Sequence, residues 1–231
     1  MKELIRKTPL AAGASLAPDG TQTWMARTDL SCYAVASPFG AAPIAARVVL
    51  EGTVEALHQP SVYRSKIEKP ACARLRGAIL AASQAWDPSW HASSTSPGLG
   101  TTLAAMLVDT DYAAVAHIGD CRVLQLRDGA AIRRTTDHLA RTREGRTTVD
   151  RIVGPNSNPH VEAWPTAPGD TVLLTAEVHY VVSEKEILAS LARHPNLSSA
   201  INDLIELAGR RGGRDYPTAV AVRILGPNPN M

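Results

Sequence analysis

The chain has few cysteines, few aromatic residues and no long apolar run. Its three cysteines, Cys32, Cys72 and Cys121, form no Cys-x-x-Cys pair and leave one unpaired in any disulfide scheme, which is typical of a reducing cytoplasm. No stretch is apolar and long enough for a signal peptide or a membrane span. We therefore expect a cytoplasmic protein without a membrane partner.

An excess of charge of one sign is also lacking. The 24 basic and 22 acidic residues leave a formal net charge of +2, which is too small to indicate nucleic-acid binding. Apolar residues make up 45% of the 231 residues and charged residues 20%, which disfavours the disordered and fibrous classes. Length and composition together predict a single globular domain.

The first half of the chain alternates strand and helix patterns. Residues 30–37 have the length and the content of a strand. Apolar side chains recur at helical spacing from Pro43 to Leu57, and a second helix is predicted over residues 70–86. Three short apolar runs then follow, separated by DTD, GD and DG turns, and turns this short exclude the crossovers of a parallel sheet.

The second half adds one strand, two helices and a closing strand. The strands are predicted over residues 170–178 and 218–225. Ser183 and Glu186 have the spacing of a capping box, and another helix is predicted from Ser198 to Ala208. Helix pairs around antiparallel strands predict a layered α+β domain.

Motifs in the middle and at the end of the chain carry a family resemblance. They are GLGTT (98–102), VAHIGDCRVLQLRDGAAIRRTTDH (115–138), RIVG (151–154), PGDTVLLTAE (168–177) and GGRDYPTAVAVRI (212–224). In order and spacing they resemble elements of the metal-dependent serine/threonine protein phosphatases of type 2C, the PPM family. The resemblance implies a four-layer αββα sandwich, in which two antiparallel sheets are flanked by helix pairs.

The resemblance covers roughly residues 30–226 and implies one domain over residues 1–231, of which residues 1–29 are a divergent N-terminal segment. In the family, the aspartate of an Asp-Gly-x-Gly-Gly turn bridges two Mg²⁺ or Mn²⁺ ions, and the water between them attacks phosphorus. Here Ser37 stands at the position of that aspartate and Pro38 at that of the next glycine. A neutral hydroxyl supplies neither the charge nor the bridge that two hard cations require.

The other ligand positions of the family are partly changed. At the end of the strand before VVS, the family's acid is either lost to Ala176 or replaced by Glu177, and the sequence leaves both alignments open. Asp215 keeps the closing ligand, and Asp120 matches the aspartate that the family uses for a third, weaker metal. Asp19 is a candidate remnant of the N-terminal acids, and we assign no catalytic residue.

Arginines are the candidates for contacts with phosphate or a partner. Either Arg6 or Arg27 is the candidate for the arginine that holds phosphate in the family. The flap of the family is shortened here to residues 139–150, which leaves Arg141, Arg143 and Arg146 at the edge of an open face.

Three functions remain open. The first is a pseudophosphatase without a cofactor, a protein-binding regulatory domain in serine/threonine phosphorylation signalling, whose partner is a phosphoprotein or a kinase. The second is an active, divergent phosphatase that uses Mn or Mg held by Asp215, Asp120 and Glu177. The third is a structural domain of a larger assembly. We favour the first, because at least two of the core acids have changed and metal affinity depends steeply on its ligands.

Overall fold

A first antiparallel sheet contains the strand that carries Ser37 and Pro38. The computed structural model describes residues 9–18, 21–39, 43–60, 65–86, 100–213 and 216–226. Its first sheet has the order β10-β5-β4-β3-β2, with every neighbouring pair antiparallel. The strands are β2 (Trp24–Arg27), β3 (Cys32–Phe39), β4 (Gly100–Val108), β5 (Tyr112–Ile118) and β10 (His160–Pro165).

A second antiparallel sheet packs face to face on the first. Its order is β1-β12-β11-β6-β7. The strands are β1 (Leu10–Ser15), β6 (Arg122–Arg127), β7 (Ala130–Arg134), β11 (Thr171–Ala176) and β12 (Thr218–Arg223). A separate hairpin of β8 (Leu139–Arg141) and β9 (Thr147–Val149) occupies the place of the shortened flap.

Helices cover the outer face of each sheet. On the first sheet lie α1 (Pro43–His58) and α2 (Pro70–Ala85), and on the second lie α3 (Val178–Val181), α4 (Glu184–Arg193) and α5 (Leu197–Arg210). Buried side chains form three separate clusters, one under each group of helices and one between the sheets. This is the four-layer αββα sandwich that the resemblance implied, and the prediction of fold class is confirmed.

Side chains alternate along β3, so this strand contributes both to the core under the helices and to the core between the sheets. Ala34 and Ala36 point to the helices, whereas Tyr33 and Val35 point to the core between the sheets. No described helix is long and apolar enough to cross a membrane.

Most predicted elements are confirmed, including the capping box in which Ser183 and Glu186 bond each other's backbone. Some strand boundaries were wrong. The strand predicted over residues 30–37 spans Cys32–Phe39, and the one predicted over residues 218–225 ends at Arg223. The strand predicted over residues 170–178 ends at Ala176. Glu177 takes a left-handed backbone with φ of 64° and begins α3 instead. The patterns also missed β1, β2, β8, β9 and β10, which are short strands with many exposed or half-buried residues.

Two glycines with positive φ give a matched test of the turn that positions Asp120. A Cβ on Gly119 (φ +91°) would lie 2.2 Å from Cγ2 of Thr102, whereas a Cβ on Gly129 (φ +77°) would meet nothing within 4 Å. We expect Gly119→Ala to lower the free energy of unfolding by ~3 kcal/mol, and Gly129→Ala by only ~1 kcal/mol, since the second adds backbone strain without overpacking. Urea unfolding measures both free energies, and equal losses of stability in the two variants would show that the contact with Thr102 does not matter.

Candidate functional site

A cleft of about 850 Å³ opens at one end of the sandwich. It lies where the end of β3, the turn before β6, the end of β11 and the β8–β9 hairpin meet. The residues that line it are Ser37, Pro38, Thr102, Asp120, Leu139, Thr147, Thr148, Val149, Asp150, Ile152, Glu177, Tyr180, Val181 and Gly212. The sequence motifs therefore converge on one cleft, although they lie more than a hundred residues apart in the chain.

Ser37 lies in the wall of the cleft and is held by its neighbours. It pairs with Thr102 across β3 and β4, and the Thr101 hydroxyl donates to its carbonyl at 3.0 Å. Its own hydroxyl donates to Oε1 of Glu177 at 3.0 Å. Ser37 is 5% exposed, so this bond lies at the junction of the two sheets rather than in bulk solvent.

Glu177 brings a carboxylate into the cleft by means of an unusual backbone conformation. Its φ of 64° lies in the left-handed region, which non-glycine residues seldom adopt and which often marks a functional position. The preceding Ala176 is 1% exposed and packs in the core between the sheets. Of the two alternatives at this strand end, Glu177 is the one that lines the cleft, and Ala176 does not.

Asp120 provides a second carboxylate, which is held by Tyr180. The Tyr180 hydroxyl donates to Oδ2 of Asp120 at 2.6 Å. Burial raises the pKa of Tyr180 above its usual value, and the hydrogen bond to Asp120 raises it further, so Tyr180 remains a donor at neutral pH. No local sequence pattern predicts this contact, because 60 residues separate the two partners.

The turn before Asp120 is fixed by a reciprocal pair of hydrogen bonds. The backbone N–H of Gly119 donates to the ring Nδ1 of His138 at 3.1 Å. The backbone N–H of His138 donates in return to the Gly119 carbonyl at 2.9 Å. The Asp150 N–H donates in turn to the His138 carbonyl at 2.8 Å. These bonds tie the Asp120 turn to both ends of the β8–β9 hairpin.

The described part of the cleft does not fit a two-metal centre. Ser37 is neutral, and the two carboxylates of Asp120 and Glu177 each accept a hydrogen bond from a neighbouring hydroxyl. No group of three or more His, Cys, Asp or Glu side chains that could hold a metal ion is found among the described residues. Asp19 and Asp215 lie outside the described residues.

The candidate arginines lie in different places. Arg27 pairs with Asp29 through two bonds of 3.0 and 2.7 Å and contacts His58, and it is not part of the cleft wall. Arg6 lies outside the described residues. The other three arginines are exposed on the β8–β9 hairpin, and no ion pair within the described ranges involves them: Arg141, Arg143 and Arg146.

Comparisons of the sequence find bacterial phosphatases. The chain is 29% identical over 170 residues to the serine/threonine protein phosphatase PstP of Mycobacterium tuberculosis. The matched stretch covers 66% of this chain and 33% of that protein. It is 27% identical over 143 residues to a protein described as of the phosphatase 2C type in Streptococcus pyogenes, covering 54% of this chain and 58% of that protein. The match thus spans a third to somewhat over half of these relatives. No protein-family model matches the chain.

Comparisons of the structure agree. The catalytic domain of PstP, solved in complex with two manganese ions, superposes with a TM-score of 0.75 at 25% identity, over 94% of this chain and 99% of that one. The phosphatase MsPP of Mycobacterium smegmatis, in complex with cacodylate, has a TM-score of 0.74 at 26% identity, over 94% and 98%. Stp1 of Staphylococcus aureus has a TM-score of 0.79 at 17% identity and supports the fold alone, over 98% and 99%.

The bond from Tyr180 to Asp120 can be tested by a double-mutant cycle. We expect Tyr180→Phe and Asp120→Ala to be coupled by about 1.5 kcal/mol in the free energy of unfolding, because the lost bond has a charged acceptor. Urea unfolding of the two single variants and the double variant measures this coupling.

Tyr33→Phe is the matched control for removal of a hydroxyl. The Tyr33 hydroxyl is buried and has no hydrogen-bond partner within the described ranges. Its removal should therefore be neutral or stabilise the protein by about 1 kcal/mol. A coupling near zero between residues 180 and 120 would show that Tyr180 does not hold the carboxylate.

Proposed function

We propose that the chain is a member of the type 2C family of metal-dependent serine/threonine protein phosphatases and that it has lost turnover. In this proposal it acts as a protein-binding regulatory domain in serine/threonine phosphorylation signalling. The observation that carries the proposal is the hydrogen bond from Ser37 to Glu177. It occupies the place where the family resemblance requires a carboxylate that bridges two ions.

The chemistry of that bond opposes metal binding. Two divalent cations a few ångströms apart repel each other unless a shared carboxylate offsets their charge. The Ser37 hydroxyl carries no charge, and it donates its proton to an oxygen of Glu177 that a metal would otherwise use. Pro38 further replaces the glycine whose carbonyl faces the metal in the family. Turnover through a metal-bound water therefore lacks its central ligand.

The charge of the cleft favours partner binding outside it. Its described wall contains three acids, Asp120, Asp150 and Glu177, and no lysine, arginine or histidine. Without metal ions, such a wall repels a phosphate group. Arg141, Arg143 and Arg146 on the adjacent hairpin are exposed and suit an acidic or phosphorylated partner, for which a phosphoprotein or a kinase is our candidate.

An active, divergent phosphatase is the second candidate. The observation that favours it is Glu177, whose left-handed backbone keeps a carboxylate in the cleft wall beside Asp120. With Asp215 as a third ligand, these two acids would hold Mn or Mg in a single-metal site. The solved PstP domain with two manganese ions is the precedent within the family.

A metal titration combined with a hydrolysis assay separates the two candidates. We expect the metal-free protein to give no saturable micromolar Mn²⁺ binding in calorimetry and no phosphate release from a phosphothreonine peptide. The Ser37→Asp/Pro38→Gly variant restores the family's two residues, and we expect it to bind Mn²⁺ at least ~10-fold more tightly than the unmodified chain, because a carboxylate ligand has been added.

The control for this test is Asp215→Asn in both backgrounds. It should weaken Mn²⁺ binding in the restored variant and change nothing in the unmodified chain. Phosphate release by the unmodified protein in Mn²⁺, lost on Asp215→Asn, would overturn the proposal in favour of the active enzyme.

Binding to the hairpin can be tested by removal of its charge. We expect Arg141→Ala/Arg143→Ala/Arg146→Ala to weaken binding of a phosphothreonine peptide library ~10-fold or more, because charge-assisted hydrogen bonds are lost. Fluorescence anisotropy at 0.15 M salt measures the affinity.

A charge-matched control shows whether position or net charge matters. The triple variant Arg47→Ala/Arg193→Ala/Arg210→Ala removes three exposed arginines from the helices and should bind like the unmodified protein. Equal losses in both variants would indicate nonspecific attraction. No binding by any form would favour a structural domain without phospho-recognition.

A further inference from the structure

A second cavity, of about 290 Å³, lies at the open edge of the sandwich. It is a crevice between β10 and β7, which are the edge strands of the two sheets. His160, Glu162 and Trp164 line it from one face of β10, as the period of two along a strand requires. On the other side it is closed by residues 134–138 and by Arg151, which lie at the base of the β8–β9 hairpin.

Three imidazoles meet in this crevice. His117 and His160 are paired across β5 and β10, with ring centroids 5.4 Å apart. His138 stacks on His117 with centroids 4.4 Å apart and an angle of 20° between the rings. A cluster of three histidines at one cavity is outside the cleft described above, and neither the metal positions nor the arginines of the hairpin account for it.

Hydrogen bonds define where the protons of two of these rings lie. Nε2 of His117 lies 2.9 Å from the carbonyl of Thr136, so it must carry a proton, and Nδ1 is left as an acceptor. This Nδ1 is buried and has no hydrogen-bond partner in the described part of the chain, while His117 as a whole is 2% exposed. His138 accepts from the Gly119 N–H at Nδ1, so its own proton lies on Nε2.

The acids around the crevice are already occupied. Asp137 accepts two bonds of 2.7 Å from Arg122, and its side chain is 6% exposed. Glu162 accepts from His160 at 2.7 Å and from the Trp164 indole at 2.8 Å. Arg122 thus offsets the charge of Asp137, and hydrogen bonds within the protein hold the Glu162 carboxylate.

The basic groups around the crevice are less fully offset. Arg134 pairs with Glu184 on α4 at 3.2 Å, and Arg133 lies near Glu162. Arg151 is about half exposed, and its nearest acid, Asp150, is 3.9 Å away. Burial lowers the pKa of His138, and the charges of His117, Arg151 and His160 add to this effect, which brings the pKa to about 4. The positive surroundings of His138 oppose another positive charge there, but an anion in the crevice would reverse that balance.

We propose that this crevice binds an oxyanion of the phosphate-monoester class through Arg151, His138 and His160. Arg151 supplies a guanidinium, and His138 supplies the N–H of Nε2. Protonation of His117 at Nδ1 would turn a buried acceptor without a partner into a further donor. The identification of the ligand as a phosphorylated side chain of a partner rests on the proposed function, whereas the oxyanion site itself does not.

The site would separate recognition of phosphate from the acidic cleft. Leu139 and Asp150, at the two ends of the hairpin, line the cleft, and the neighbouring His138 and Arg151 line the crevice. A partner that contacts the hairpin arginines could thus place its phosphoryl group in the crevice rather than against three carboxylates.

The first arm of the test uses inorganic sulfate with EDTA present. Sulfate remains a dianion over the whole neutral range, so any protons taken up on binding belong to the protein. We expect saturable millimolar binding, with proton uptake detected by calorimetry in buffers of different ionisation enthalpy. Affinity should rise as the pH falls from 8 to 6, because the anion raises the pKa of the histidines that it contacts. Inorganic phosphate should compete with sulfate.

Two surface variants test the location. Arg151→Gln and His160→Gln remove groups that are about half exposed, so the fold should survive, and circular dichroism checks this. Each should weaken sulfate binding ~10-fold, because a charge-assisted hydrogen bond is lost. Arg47→Gln and His58→Gln remove the same two functional groups from α1 and should change nothing. Binding that is unaffected by the first pair, or weakened equally by both pairs, would overturn the proposal.

The second arm identifies the source of the oxyanion. A phosphothreonine peptide selected from the library should bind more tightly than inorganic phosphate and than its unphosphorylated form, and Arg151→Gln should abolish the difference. Sulfate binding without that difference would show a site for a free anion and overturn the phosphoprotein assignment.

Tight Zn²⁺ binding that perturbs the three histidines in NMR, without any effect of sulfate, would show a metal site instead. The Mn²⁺ hydrolysis assay tests the proposed function separately, since neither arm measures turnover.

Discussion

The hydrogen bond between Ser37 and Glu177 joins the two sheets at the end of the sandwich where the cleft opens. β3 and β11 belong to different sheets, and the outer ends of both strands reach this point. Two carboxylates here would repel each other unless a cation lay between them. A hydroxyl opposite a carboxylate needs no cation, because the donor satisfies the acceptor directly. In the structure this end of the fold is therefore closed by a direct hydrogen bond between the two sheets.

The same logic extends to the second acid of the cleft. Tyr180 donates to Asp120, so the Asp120 and Glu177 carboxylates in the cleft wall each accept a hydrogen bond from a neutral hydroxyl. Tyr180 and Glu177 both belong to the short segment around α3, which exists because Glu177 adopts a left-handed backbone. A single backbone reversal thus ends the strand, directs the Glu177 carboxylate into the cleft and places the Tyr180 hydroxyl next to Asp120.

Much of the fold followed from local patterns, whereas the site depended on contacts that no pattern encodes. The helix from Pro43 and the capping box at Ser183 were predictable because their signals lie within one continuous segment of the chain. The end of β11 was predicted two residues too late, since Val178 continues the apolar pattern although Glu177 has already turned. The motifs identified Ser37, Asp120 and Glu177 as neighbours of one cleft, but not Tyr180 or the meeting of His117, His138 and His160, which depends on the pairing of β5 with β10.

The reciprocal bonds between Gly119 and His138 connect the cleft to the crevice. On one side of this connection lie three acids without a described basic neighbour in the wall, and on the other lie three imidazoles and Arg151. Ser37 and Tyr180 donate to two of these acids, Glu177 and Asp120, and the surroundings of His138 favour its neutral state. One hairpin thus borders two chemically distinct surfaces, and the turn before Asp120 connects them.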